Sequence, residues 1–145
     1  MTKAIFTGSF DPFTVGHASI VQRALPLFDS IVIAVGHNEH KKGMFSVEER
    51  VERIEKHYAN EPKIEVVAYS DLTVDVAKRV GANVIIKGVR SFKDFEYERQ
   101  QAEINKTIGG IETFFLCSDP QYESISSSIV RELIHFGRDV SDMMI

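Results

Sequence analysis

Five short apolar runs rich in β-branched residues alternate with four segments of helical periodicity, and a further helical segment follows the last run. This pattern predicts an α/β fold: an open, doubly wound five-stranded parallel sheet with helices on both faces. The runs are Lys3–Thr7, Ser30–Gly36, Lys63–Tyr69, Asn83–Lys87 and Glu112–Cys117. Strand–helix alternation at this spacing means parallel strands joined by right-handed crossovers. No internal repeat, low-complexity segment or linker interrupts the 145 residues, so residues 1–145 are expected to form one domain.

Each element has a local reason. The first strand runs into Gly8-Ser9-Phe10-Asp11-Pro12-Phe13-Thr14-Val15-Gly16-His17, and a helix over Gly16–Leu25 follows, with Pro26 expected to end or kink it. Ser46 with Glu49 forms a capping-box pattern, and Val47, Val51 and Ile54 then recur at helical spacing within Ser46–His57. The helices over Leu72–Val80 and Ser126–Phe136 are followed by Gly81 and Gly137, where helix-ending glycines belong. The helix over Asp94–Thr107 opens with acidic residues that suit its dipole. Cys117, the single cysteine, rules out an intrachain disulfide and is expected as a small buried strand residue.

Composition excludes several classes. A hydrophobic fraction of 43% and a charged fraction of 26% are ordinary for a folded soluble protein. A formal net charge of -4 argues against a nucleic-acid-binding surface. No apolar stretch approaches a membrane span. The first strand begins directly after Met1-Thr2, leaving no room for a signal peptide, so a cytoplasmic location is expected.

Ligands of such Rossmann-like sheets bind beyond the carboxyl ends of the strands, which makes the loops after each strand the places to search. A strand, a glycine-bearing turn and a helix start make an anion site, because free N–H groups and the positive end of the helix dipole converge there. Gly8 lets backbone approach a phosphate, Ser9 adds a hydroxyl, and His17 can donate to what the turn cradles. Neither a G-x-x-x-x-G-K-[ST] loop nor a G-x-G-x-x-G fingerprint is present. Ile125-Ser126-Ser127-Ser128-Ile129-Val130-Arg131 opens the last helix; one serine would serve as a cap, and three exceed that need. Lys41-Lys42 reads by itself as a solvated pair, but its loop follows the second strand at the same sheet edge. Lys87-Gly88-Val89-Arg90 puts two cations around a glycine at the end of the fourth strand, which favours anions. His37, His40, His57 and His135 show no metal-ligand spacing.

The first turn paired with the ISSSxxR helix start resembles the nucleotidyltransferase superfamily. Within it the chain resembles the phosphopantetheine adenylyltransferase family, through Gly8–His17, Lys41–Phe45, Ser70-Asp71-Leu72, Lys87–Arg90, Asp94–Glu98 and Ile125–Ser128. The resemblance implies adenylyl transfer from ATP to 4′-phosphopantetheine, giving dephospho-CoA and pyrophosphate. It implies catalytic roles for His17, Lys41 and Arg90. It implies an ATP site of Gly8, Ser9, Phe10, His17, Lys87, Gly88, Arg90, Glu98, Tyr122, Ile125, Ser126, Ser127 and Ser128. The acceptor would meet Ser9, Lys41, Leu72, Thr73, Lys87 and Asn105. Lys87 stands where the family usually has arginine, keeping the charge without the bidentate fork. Mg²⁺ would ride on substrate phosphates, with no protein metal ligand. A homohexamer and feedback binding of coenzyme A are further implications. Two alternatives remain at this point: a nucleotidyltransferase acting on glycerol phosphate, phosphocholine or nicotinamide mononucleotide, and a non-catalytic ATP or CoA sensor.

Overall fold

A computed structural model describes residues 1–145. Five parallel strands, β1 (Lys3–Gly8), β2 (Ser30–Gly36), β3 (Ile64–Tyr69), β4 (Val84–Val89) and β5 (Glu112–Cys117), form one sheet in the order β3-β2-β1-β4-β5. The helices are α1 (Val15–Ala24), α2 (Val47–His57), α3 (Thr73–Val80), α4 (Phe92–Gly109) and α5 (Ser127–His135). No helix is long and apolar enough to cross a membrane.

Alternation along the central strands explains the layers. Ala4, Phe6, Ile31, Ile33, Val35, Val84 and Ile86 face one way and pack with Ile20, Val21 and Ala24 of α1 and Ile54 of α2. Ile5, Val32, Ala34 and Ile85 face the other way and pack with Val76 and Ala77 of α3. A two-residue period puts successive side chains on opposite faces, so strands this continuously apolar must be covered on both.

Pro26 ends the first helix by tightening it into a short 3₁₀ turn over Leu25–Leu27. Gly81 and Gly137 adopt left-handed φ of 75° and 76° at their helix ends. Three details differ from expectation. α4 starts at Phe92 because the Ser91 hydroxyl accepts from Asp94 N–H, capping it ahead of the acidic residues. At α2 only the forward half of the capping box forms, Ser46 accepting from Glu49 N–H. Cys117 is exposed, because β5 is an edge strand and its burial alternates.

The strand order reverses between β1 and β4, the first half stepping outward as β1-β2-β3 and the second, on the other side, as β4-β5. A crevice opens beyond strand ends at such a switch point. The far end of the chain closes over the same region. Val15 N–H donates to Met143 O at 2.9 Å, Ile145 N–H to Phe13 O at 3.3 Å, and Thr14 pairs antiparallel with Met144.

Candidate active site

Two cavities lie beyond the carboxyl ends of the strands and share Gly8, Ser9 and Arg131. The first, of about 340 Å³, is set at the switch point. Its walls are the β1 turn, the start of α1 with His17, the β4 end with Lys87, Gly88 and Arg90, and the start of α5 with Ile125 to Ser128. Phe10, Tyr122, Asp94 and Glu98 complete its lining. The second, of about 620 Å³, lies over β1, β2 and β3 and is lined by Gly36, Tyr69, Ser70, Asp71 and the loop carrying Lys41, Lys42, Gly43 and Met44.

His17 is held by a reciprocal capping box. Its N–H donates to the Thr14 hydroxyl at 3.3 Å, and Thr14 N–H donates to imidazole Nδ1 at 2.9 Å. A nitrogen that accepts cannot carry the proton, so the neutral ring carries it on Nε2. Burial, reinforced by the charges of Arg90 and Lys87, pushes the His17 pKa down to about 4. The ring that lines the first cavity is therefore neutral, with its N–H on Nε2. The rings of Phe10 and Phe13 brace it at centroid distances of 5.0 and 5.2 Å. Phe10 itself is buried, with a left-handed φ of 49°. Its ring lies where a Gly8 Cβ would be, 2.9 Å away, so Gly8 is needed for packing as well as for ligand approach.

The cations are paired with acids. Lys87 Nζ donates to Thr7 O at 3.2 Å and lies 3.6 Å from Glu98. Arg90 Nε donates to Asp94 at 3.1 Å. Gly88 lies against α1: a Cβ there would meet Ile20 Cγ1 at 2.9 Å. The three serines divide their work. Ser126 caps α5 by accepting from Ile129 N–H, Ser127 Oγ donates to Pro12 O at 2.8 Å, and Ser128 Oγ accepts from Arg131 at 3.1 Å.

Lys41 lines the second cavity, across the Gly8–Ser9 turn from His17. Leu72, Thr73 and Asn105 line neither cavity; Leu72 precedes α3 and is exposed, Thr73 is the first residue of α3, and Asn105 lies on α4. Three residues have no role in the sequence reading, although Arg131 and Asp11 stand inside its motifs. Arg131 donates to Asp11 O at 2.8 Å and borders both cavities. Arg50, only 7% exposed, donates to Ser9 O, Gly36 O and Phe45 O at 2.6, 2.9 and 3.1 Å. The Asp11 carboxylate accepts from Met44 and Phe45 N–H at 2.8 and 2.9 Å. A signal for Arg50 existed: it stands three residues after Val47 and four before Ile54, on the apolar stripe of α2.

Hydroxyls, backbone N–H groups, a neutral imidazole and the side chains of Lys41, Lys42, Arg50, Lys87, Arg90 and Arg131 line the two cavities, a donor set suited to oxyanions. No group of three or more His, Cys, Asp or Glu side chains is arranged to hold a metal ion.

The Cytidylyltransferase-like family matches residues 5–133. The phosphopantetheine adenylyltransferase of Porphyromonas gingivalis is 53% identical over 141 residues, covering 97% of this chain and 92% of the relative. That of Phocaeicola vulgatus is 51% identical over 144 residues, covering 99% and 95%. Among solved structures, a bifunctional NMN adenylyltransferase/ADP ribose pyrophosphatase from Francisella tularensis, complexed with AMP and a manganese ion, superposes with a TM-score of 0.74. At 18% identity it covers 99% of this chain and 44% of its own, and it shows the likeness of fold.

Proposed function

The chain belongs to the phosphopantetheine adenylyltransferase family, and from that premise we propose how its two adjoining cavities work. The reaction is reversible adenylyl transfer from ATP to 4′-phosphopantetheine, giving dephospho-CoA and pyrophosphate, a step of coenzyme A biosynthesis. The observation that carries the reading is that the two cavities meet at the Gly8–Ser9 turn, with His17 on one side and Lys41 on the other. A nucleotide in the first cavity would then present its α-phosphate to an acceptor phosphate in the second.

One oxygen of the acceptor phosphate attacks the α-phosphorus in line, a new P–O bond forms, and pyrophosphate leaves with the electrons of the broken bond. The acceptor phosphate is already ionised at neutral pH, so no general base is needed. Positioning and electrostatic stabilisation supply the acceleration. His17 donates from Nε2 to an α-phosphate oxygen. Its neutrality makes the donor effective without a second charge to desolvate, which fits the depressed pKa. Ser9 and Lys41 orient the acceptor phosphate. Lys87, Arg90 and the Ser126–Ser128 helix start hold the β- and γ-phosphates, Lys87 exchanging Glu98 for phosphate oxygen. The adenine lies near Tyr122 and Ile125. Leu72, Thr73 and Asn105 receive the distal pantetheine arm, outside the two cavities.

Mg²⁺, when bound, neutralises triphosphate charge. Asp94 and Glu98, the carboxylates bordering the first cavity, are engaged by Arg90 and Lys87, which supports a cation carried by phosphate oxygens. Residues 1–145 act as one nucleotidyltransferase domain in the cytoplasm. The unit of assembly is a homohexamer. α4, an 18-residue helix, has no fully buried residue, and Tyr97 (62% exposed), Ile104 (56%) and Ile108 (56%), spaced seven and four residues apart, line up on one exposed face suited to a second copy. Coenzyme A, sharing the pantetheine arm of the product, binds the acceptor cavity as a feedback ligand.

The test is pyrophosphate release with ATP, Mg²⁺ and 4′-phosphopantetheine, beside reactions without acceptor or with glycerol phosphate, phosphocholine or nicotinamide mononucleotide. Release that requires 4′-phosphopantetheine and yields dephospho-CoA is expected. ATP binding with no release on any acceptor would turn the reading to a sensor, and light scattering of the purified protein checks the hexamer.

A further inference from the structure

The Lys41 loop has no secondary structure of its own to hold it, yet its end is tied down from below. Between β2 and α2 the chain runs from His37 to Ser46 without helix or strand. Asp11, 7% exposed, reaches across 33 positions and accepts from Met44 N–H with one carboxylate oxygen and from Phe45 N–H with the other. Both oxygens are thereby committed to two consecutive amides, a bidentate grip on one short stretch of backbone.

Gly43 fits the same contact from the loop side. A Cβ at Gly43 would lie 2.8 Å from Asp11 Oδ2 and 3.1 Å from Phe45 O, nearer the carboxylate than a real Cβ comes. Gly43 has no left-handed φ to explain it. The missing side chain admits the carboxylate. Asp11 is itself fixed, since its carbonyl accepts from Arg131, whose other nitrogen donates to Ser128 at the start of α5.

We propose that Asp11 is a positioning residue for the acceptor substrate. Its carboxylate and the bare face of Gly43 form a clamp that sets the height of the Lys41 loop over the Gly8–Ser9 turn, and hence where the acceptor phosphate rests. The proposal deepens the reading given above, in which Lys41 binds that phosphate. Asp11 borders the second cavity, but both of its carboxylate oxygens are taken by the Met44 and Phe45 amides, so it acts through the loop. A charge-assisted pair of hydrogen bonds is strong enough to choose one loop conformation over the several an untethered segment would sample.

Steady-state kinetics of D11N, G43A and K41A, with each substrate varied in turn, test it. D11N removes the charge and turns an amide donor toward a backbone donor, while leaving the Asp11 carbonyl to Arg131. G43A leaves the charge and pushes on it from the loop. Both are expected to raise the acceptor KM about tenfold and to leave the ATP KM within about twofold. The D11N/G43A pair should cost little more than the worse single variant, because both break one contact. If D11N fails to fold, G43A carries the test alone. Equal rises in both KM values would overturn the clamp as a positioning device, and so would additive effects of the pair. The two readings also fail separately. An acceptor KM raised by K41A but unmoved by D11N and G43A keeps Lys41 and overturns the clamp. An acceptor KM raised by D11N and G43A but unmoved by K41A keeps the clamp and removes Lys41.

Discussion

The two cavities are built on different principles. The nucleotide-side cavity is assembled from element ends: the last residues of β1 and β4 and the first turns of α1 and α5. Its backbone donors come with the secondary structure and point where they do because helix starts leave N–H groups free. The acceptor-side cavity rests on a loop whose placement depends on side chains, Asp11 from one side and Arg50 from another. On the proposed reading, the triphosphate common to nucleotides meets element ends, whereas the acceptor meets a loop that a few side chains tether.

The sharpest blow to the nucleotide side is His17→Ala. Turnover should fall at least ~100-fold. Because Thr14 N–H loses its imidazole acceptor, the melting temperature should also drop by about 3 °C, for about 1 kcal/mol. Full activity would remove His17 from the chemistry, and an unfolded variant would mark it as structural.

Acid should separate the two regions next. The folded pKa of His17 lies near 4, below its ordinary value of 6.5, so folding favours the neutral ring. Its contribution is complete above about pH 6.5 and is lost as pH falls through 4, on the order of 3 kcal/mol. The advantage of about 1 kcal/mol that wild type holds over His17→Ala at neutral pH, followed by denaturant unfolding, should shrink over that window and reverse before pH 4. A gap constant from pH 7 to 4 would mean the ring is not held neutral.

Arg50→Met strikes the acceptor side. Three carbonyls lose their donor, for about 2 kcal/mol of stability. Calorimetric titrations should show acceptor affinity falling more than ATP affinity; equal losses would erase the distinction between the cavities. The mildest change is Ser127→Ala, which frees Pro12 O and should cost about 1 kcal/mol with kcat within about threefold. A larger kcat loss would mean that its hydroxyl meets phosphate directly.

Much of the fold was legible from local pattern. All five strands and five helices sit within about two residues of where apolar period, caps and helix-ending glycines put them, α4 starting two residues early at its Ser91 cap, because those signals act within a few residues. Cys117 was misjudged because an apolar run reads alike in a central and an edge strand, and only the strand order distinguishes them. In the site, the turn with His17 and the serine helix start were readable because consecutive residues carry them. Asp11 was hidden because its partners are the amides of residues 44 and 45, and a peptide N–H leaves no mark in a sequence. Arg50 could have been suspected, since a charge on an apolar stripe needs a partner.

The bonds that close the first turn have a consequence for the order of synthesis. His17 and its turn leave the ribosome early, but Ser127, which holds Pro12, is 115 residues further on, and Met143, which takes the Val15 amide, is later still. β4, the neighbour of β1 across the crevice, does not exist until residue 84. The nucleotide pocket is therefore among the last features of the nascent chain to mature. A polypeptide halted before Ser126 carries the histidine turn without the serines of α5 and without the bonds from Ser127 and Met143 that fasten it.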